Sequence, residues 1–239
     1  KGGIRTMDSR WIDSICYHTM IGECAYQMGD LVQALDQHNS ALKIYLANAD
    51  WMLRVDFPVG LDPANVSNLP PLTWGSSGRK VMIGAIPDIM QTLQGQSDAA
   101  NARAVQQGGV VAQAQFYKLR AQEVARCIAV SIRRRNELLG PNGPHDPMTA
   151  LLIDTLSRRM APANHWSQCW IDAQLGLAYL GAGRQAQAAS ELQKSLAAGG
   201  TYEHKLSAMA LVELGKLTLA LGQYDNALLY FMEATYSAA

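Results

Sequence analysis

Neither sign of charge is in excess: the 239 residues carry 20 Lys and Arg against 20 Asp and Glu. That balance removes any global electrostatic attraction to nucleic acid or to an anionic membrane surface. No run of about 18 apolar residues occurs, so no membrane span is expected. Aromatic residues are scarce at 7%, whereas apolar residues make up 49%. Such a mixture suits a helical globular chain long enough to bury a sizeable core. The four cysteines (Cys16, Cys24, Cys127, Cys169) are far apart and form no CxxC pair. They read as reduced, mostly buried helix residues, which points to a reducing compartment such as the cytoplasm. The chain starts at Lys1 and ends within a helical pattern at Ala239, as expected of a piece of a longer protein. The lack of a signal peptide is then uninformative.

What is present is a recurring helix-hairpin pattern. Near the C-terminus it reads Leu214, Gly215, Gly222, Tyr224, Ala227, Phe231, Ala234. A second copy upstream reads Leu175, Gly176, Tyr179, Gly183, Ala188, Leu192, with Ser195 in place of the late alanine. A third opens the chain with Ile21, Gly22, Gly29, Ala34 and Ala41, and has His38 at the large apolar position. The first glycine of each copy lets two helix backbones approach closely. The second, seven residues later in each copy, can end the first helix in the left-handed conformation that glycine adopts without penalty. A single hairpin of this kind cannot bury both faces, so such units stack.

The pattern resembles the tetratricopeptide repeat family. The two C-terminal copies are offset by 39 residues rather than the family's 34, which implies longer helices or a longer link around Gly199 and Gly200. The resemblance implies an all-α fold, an α-α superhelix or solenoid of antiparallel hairpins. Residues 1–53 would form an N-terminal hairpin. Residues 54–84, rich in Pro and Gly, would be an irregular insertion. Residues 85–162 would form a second helical hairpin region, and 163–239 two tandem hairpins.

Several local expectations follow from spacing. Asp30 and Asp146-Pro147 are helix starts. The runs Leu53–Phe57 and Lys80–Ile86 are candidates for a small β-hairpin. Residues 87–93 read as a short helix, and 110–139 as one long amphipathic helix with apolar residues at steps of three and four.

Candidate chemistry is thin. His165, Cys169 and Asp172 share a helix face and offer three ligand types, but no second cluster has metal-site spacing. The His145-Asp146 pair suits a general base, yet a cap explains Asp146, and no nucleophile motif accompanies it. Arg133, Arg134 and Arg135 fan over different faces, as cations closing a helix do, with Arg126 two turns earlier. The segment 75–80 lacks the spacing of a phosphate loop, with Val81 where a hydroxyl is needed. No enzymatic activity, cofactor, metal or nucleic-acid partner is expected.

In the resembling family the ligand-facing residues lie on the first helix of each repeat. The matching positions here are Trp170, Ala173, Leu177 and Leu180, then Met209, Val212, Lys216 and Leu219, with Cys16, Thr19, Glu23 and Tyr26 in the first copy. The resemblance therefore implies a protein-interaction scaffold that grips a peptide or partner helix in an apolar groove. One alternative is a small-molecule or enzymatic site where the insertion crosses the helices, built from Trp51, Arg54, Trp74 and Arg79. Another is a structural module whose exposed ends pair into a homo-oligomer.

Overall fold

The computed structural model describes residues 12–65, 77–94, 102–103, 105–109 and 115–238. Among them the chain is predominantly helical, with eight α-helices and five short strands. Helices α1 (Ser14–Gln27) and α2 (Leu31–Ala47) form one antiparallel pair. Helices α3 (Ala121–Leu139) and α4 (Pro147–Ser157) follow, joined by a 3-10 segment over Gly140–His145. Two further pairs are α5 (Gln168–Gly181) with α6 (Gln185–Lys194), and α7 (Ser207–Ala220) with α8 (Tyr224–Ala238). No helix among the described residues is long and apolar enough to cross a membrane.

The helix ends obey local chemistry. Gly29, Gly183 and Gly222 have φ of +81°, +70° and +74°, so each stops its helix where a side chain would be strained. The Asp30 carboxylate accepts from the Gln33 N–H at 3.0 Å, and Asp146 accepts from the Met148 N–H at 2.8 Å. Both expected starts are thus real caps.

Within three of the pairs, glycine sets the distance between helices. A methyl group on Gly176 would lie 2.7 Å from Leu192 Cγ and 3.1 Å from the Leu192 backbone nitrogen. One on Gly215 would meet the Phe231 ring at 2.5 Å, and one on Gly22 the His38 ring at 2.9 Å. In each pair the residue met lies sixteen positions after the glycine.

The main core gathers on α3, which packs against α1, α2 and α5. Its buried stripe is Val124, Ala125, Ile128, Ala129 and Ile132, the spacing of an apolar helix face. A smaller cluster of Leu192, Ala210 and Leu214 joins α6 to α7.

Four sequence expectations need correction. The run at 53–57 does not form a hairpin with 80–86. Strand β1 (Val55–Asp56) pairs antiparallel with β3 (Met90–Gln94), and β2 (Met82–Ile83) pairs parallel with β5 (Tyr202–Glu203). Among the described residues the insertion closes on itself through a bridge of Pro63 opposite Gly84. Residues 87–93 contain strand β3 rather than a short helix. The long helix begins at Ala121, because β4 (Gln115–Leu119) pairs with β3. In β3, Met90 and Thr92 are buried while Gln91 is exposed, a period of two. Backbone pairing with β3 makes 115–119 a strand despite those apolar steps of three and four, and residues 110–114 of the expected helix lie outside the described residues. The second helix, whose pattern on the sequence extends past Leu46 as far as Met52 or Leu53, ends at Ala47 and is followed by a 3-10 turn, Trp51–Arg54.

The glycine contacts predict unequal responses to alanine. Alanine favours a helix over glycine by about 0.8–1.0 kcal/mol, whereas overpacking costs about 1–3 kcal/mol. At Gly176 the obstacle includes backbone, so Gly176→Ala is expected to lose about 1–2 kcal/mol net. At Gly215 the obstacle is the ring of a half-buried Phe231, which can swing aside, so Gly215→Ala is expected to be near neutral. Urea unfolding of both variants checks this, and the reverse ranking contradicts the packing account.

Candidate functional site

The expected groove residues divide into three groups. Trp170 and Ala173 are buried in the core and are unavailable to a partner. Leu177 is also buried, but with Leu180 and Lys216 it lines a small depression of about 110 Å³. Met209 and Val212 line a larger cleft of about 460 Å³ between α3 and the final helix pair. Leu219 is exposed and lines neither depression. In the first helix, Thr19, Glu23 and Tyr26 face α3 instead of a ligand. Thr19 Oγ1 lies 2.9 Å from Ser131 Oγ, Glu23 pairs with Arg134 at 2.7 Å, and that guanidinium lies 4.1 Å from the centroid of the Tyr26 ring. Cys16 sits beside Cys127, whose hydrogen bond, with burial, raises the Cys16 thiol pKa.

The cleft between α3 and the final pair has an apolar floor of Met209, Val212, Phe231 and Ala234 and a basic rim of Arg126, Arg133 and Lys205. No acidic side chain is among its lining residues. Arg126 and Arg133 reach the same rim because seven residues are two helical turns. Carboxylates behind the rim hold these cations in place. Glu123 bonds Arg126 at 2.9 Å and Lys205 at 3.0 Å. Burial pushes the Glu123 pKa up, but its bonds to Lys205 and Arg126 outweigh that and hold it below the usual value. Glu213 pairs with Arg133 at 3.1 Å and with Lys216 at 2.8 Å. The Arg133–Glu213 pair separates the two depressions, since Arg133 lines both.

No family model, no curated protein and no solved structure matches the chain.

Of the residues proposed for an insertion site, the three described ones make separate contacts. Trp51 is buried in the main core, and Arg54 is exposed and paired with Asp50. Trp74 lies outside the described residues. Arg79 reaches the far end of the fold, where it pairs with Glu203, donates to the Leu196 carbonyl and bonds Ser237 Oγ at 2.9 Å. Beside it the Gly78 N–H and the Ser77 hydroxyl both donate to the Glu233 carboxylate on α8. A second cleft of about 580 Å³ opens there, lined by Arg79, Leu229, Tyr230 and Glu233 among others.

The remaining candidates serve the fold. His165 donates from Nε2 to the Pro58 carbonyl, because its Nδ1 accepts from the Ser167 N–H. Trp166 donates to the same carbonyl at 2.8 Å, and Phe57 packs among His165, Trp166 and Trp170. Asp172 pairs with Arg159, and burial raises both the Asp172 carboxyl and the Cys169 thiol. Asp146 pairs with the buried Arg135, whose other bonds go to Thr149 and Asn39.

Sequence reading missed a buried polar set. His38 Nδ1 lies 3.2 Å from Ser131 Oγ, and its Nε2 lies 3.5 Å from Glu23. The order Ser–His–Glu imitates a nucleophile, base and orienting acid. Ser131 and His38 are fully buried, however, so the set ties α1, α2 and α3 together. Burial lowers the His38 pKa against the pull of Glu23.

His204 carries a pH dependence. Its Nε2–H donates to the Ser195 carbonyl and its Nδ1 accepts from the Leu206 N–H. Both ring nitrogens are satisfied only in the neutral form, and burial lowers the pKa to about 4. The unfolded chain takes up this proton first, near pH 6.5. The stabilisation is therefore complete above about pH 6.5 and is lost as pH falls toward about 4. It amounts to roughly 3 kcal/mol over that window. His204→Gln should flatten the stability–pH profile between pH 7 and 5, as read by urea midpoints; an unchanged slope would assign the acid sensitivity elsewhere.

Proposed function

We propose that the chain is a protein-interaction scaffold without catalytic activity. On this reading its helix pairs stack as a tetratricopeptide-like solenoid, and the cleft between α3 and the final pair receives a peptide or helix from a partner. The observation that carries the reading is the cleft itself: an apolar floor containing two expected groove residues, Met209 and Val212, under a rim of three cations. The three repeated glycine contacts support the stacking.

The chemistry selects a partner segment. An apolar side chain displaces water from Met209 and Val212, and each buried methylene contributes about 0.8 kcal/mol. One or two carboxylates meet Arg126, Arg133 and Lys205, which favours encounter and orientation more than raw affinity. Basic or purely polar segments gain neither term.

A displayed random-peptide library tests this. Selection against the protein is expected to enrich peptides that combine large apolar residues with Asp or Glu. The best such peptide should bind Val212→Glu at least about ten-fold more weakly, a loss of about 1.4 kcal/mol, with the far-UV circular dichroism of the variant unchanged. Equal binding to wild type and variant would remove the cleft from consideration.

A further inference from the structure

We propose that the outward faces of the first and last described helix pairs are complementary and that copies of this chain associate head to tail. Placing the interhelical glycines Gly22, Gly176 and Gly215 in register aligns three pairs residue by residue. Five and one residues before Gly215 stand Ala210 and Leu214 on α7, and they bury against Leu192 of α6, with Ala189 alongside. The corresponding positions before Gly176 are Ile171 and Leu175, both buried. Before Gly22 they are Tyr17 and Ile21, which are 52% and 46% exposed.

The opposite faces show the converse. Thirteen and sixteen residues after Gly176 stand Ala189 and Leu192, which cover α7. After Gly22 the same steps reach Leu35 and His38, on the helix that packs against α3. After Gly215 they reach Leu228 and Phe231, of which Leu228 is 59% exposed and Phe231 only half-buried. Among the described residues, the first pair thus presents an exposed front face and the last pair an exposed back face. Bringing Leu228 and Phe231 of one copy onto Tyr17 and Ile21 of the next repeats the α6–α7 contact that the chain already makes internally. Side chains on both faces are larger than at α6–α7, so the helices meet at a wider spacing. Neither face mates with itself in this register. The contact is therefore heterologous, and it propagates into an open chain unless the rotation per copy closes a ring.

Ile21→Glu and Leu228→Glu each spoil one face at an exposed position. By sedimentation velocity from about 1 to about 200 μM, the wild type is expected to grow beyond twice the monomer mass with rising concentration. Each variant alone should stay monomeric. An equimolar mixture of the two should form a one-to-one dimer, because the intact back face of Ile21→Glu meets the intact front face of Leu228→Glu. Circular dichroism shows whether both remain folded, and the mixture shows whether each retains a working face. A wild type that stays monomeric throughout overturns the proposal. So does a dimer that survives in either single variant, which would mean pairing of like faces or a different surface.

Discussion

Close approach of paired helices is the constraint on which the rest of this structure depends. Where Gly176 faces Leu192, and where Gly215 faces Phe231, no side chain separates the helices. The large residue on the second helix then fills the space that a Cβ would have taken. This fixes the rotation of each helix about its axis, and so determines which residues point outward to the neighbouring pair. Burial of Ala210 and Leu214 under Leu192 is a consequence of that rotation. In the first pair a histidine replaces the apolar residue. Ser131 offsets part of the cost of burying its polar ring by bonding Nδ1, while Nε2 lies 3.5 Å from Glu23.

The insertion after α2 works as a strap along the array. Phe57 and Pro58 anchor it on the aromatic surface of His165, Trp166 and Trp170. Further on, β2 adds to β5 between α6 and α7, and Arg79 with Ser77 and Gly78 holds the α6–α7 connection through Glu203 and α8 through Ser237 and Glu233. Segments distant in sequence are thereby tied to helices that the repeats alone would leave joined only to their neighbours.

Charge is used mostly inward. Of the three consecutive arginines, Arg134 links α1 to α3, Arg135 holds the cap of α4, and Arg133 divides the two depressions. A run that looks like an anion-binding patch in one dimension is distributed over three faces of a helix and meets a different carboxylate on each. The cations that do converge are Arg126, Arg133 and Lys205, and they do so from α3 and from the turn before α7, far apart in sequence.

The sequence by itself determined the glycine stops and the capping aspartates, because these depend on interactions within a few residues, and the helix pairs, because each glycine meets a residue only sixteen positions later. It also determined that a helix face carries Arg126 and Arg133, and that Met209 and Val212 share a side of α7. Only the tertiary structure decided that β3 and β4 are strands, since short apolar runs fit either period until a backbone partner is present. It also decided that Trp170 and Ala173 are core while Met209 and Val212 line a cleft. All four occupy the same repeat positions, and what separates them is whether another helix lies over that position, a contact set by residues more than seventy positions away for Met209 and more than forty for Trp170.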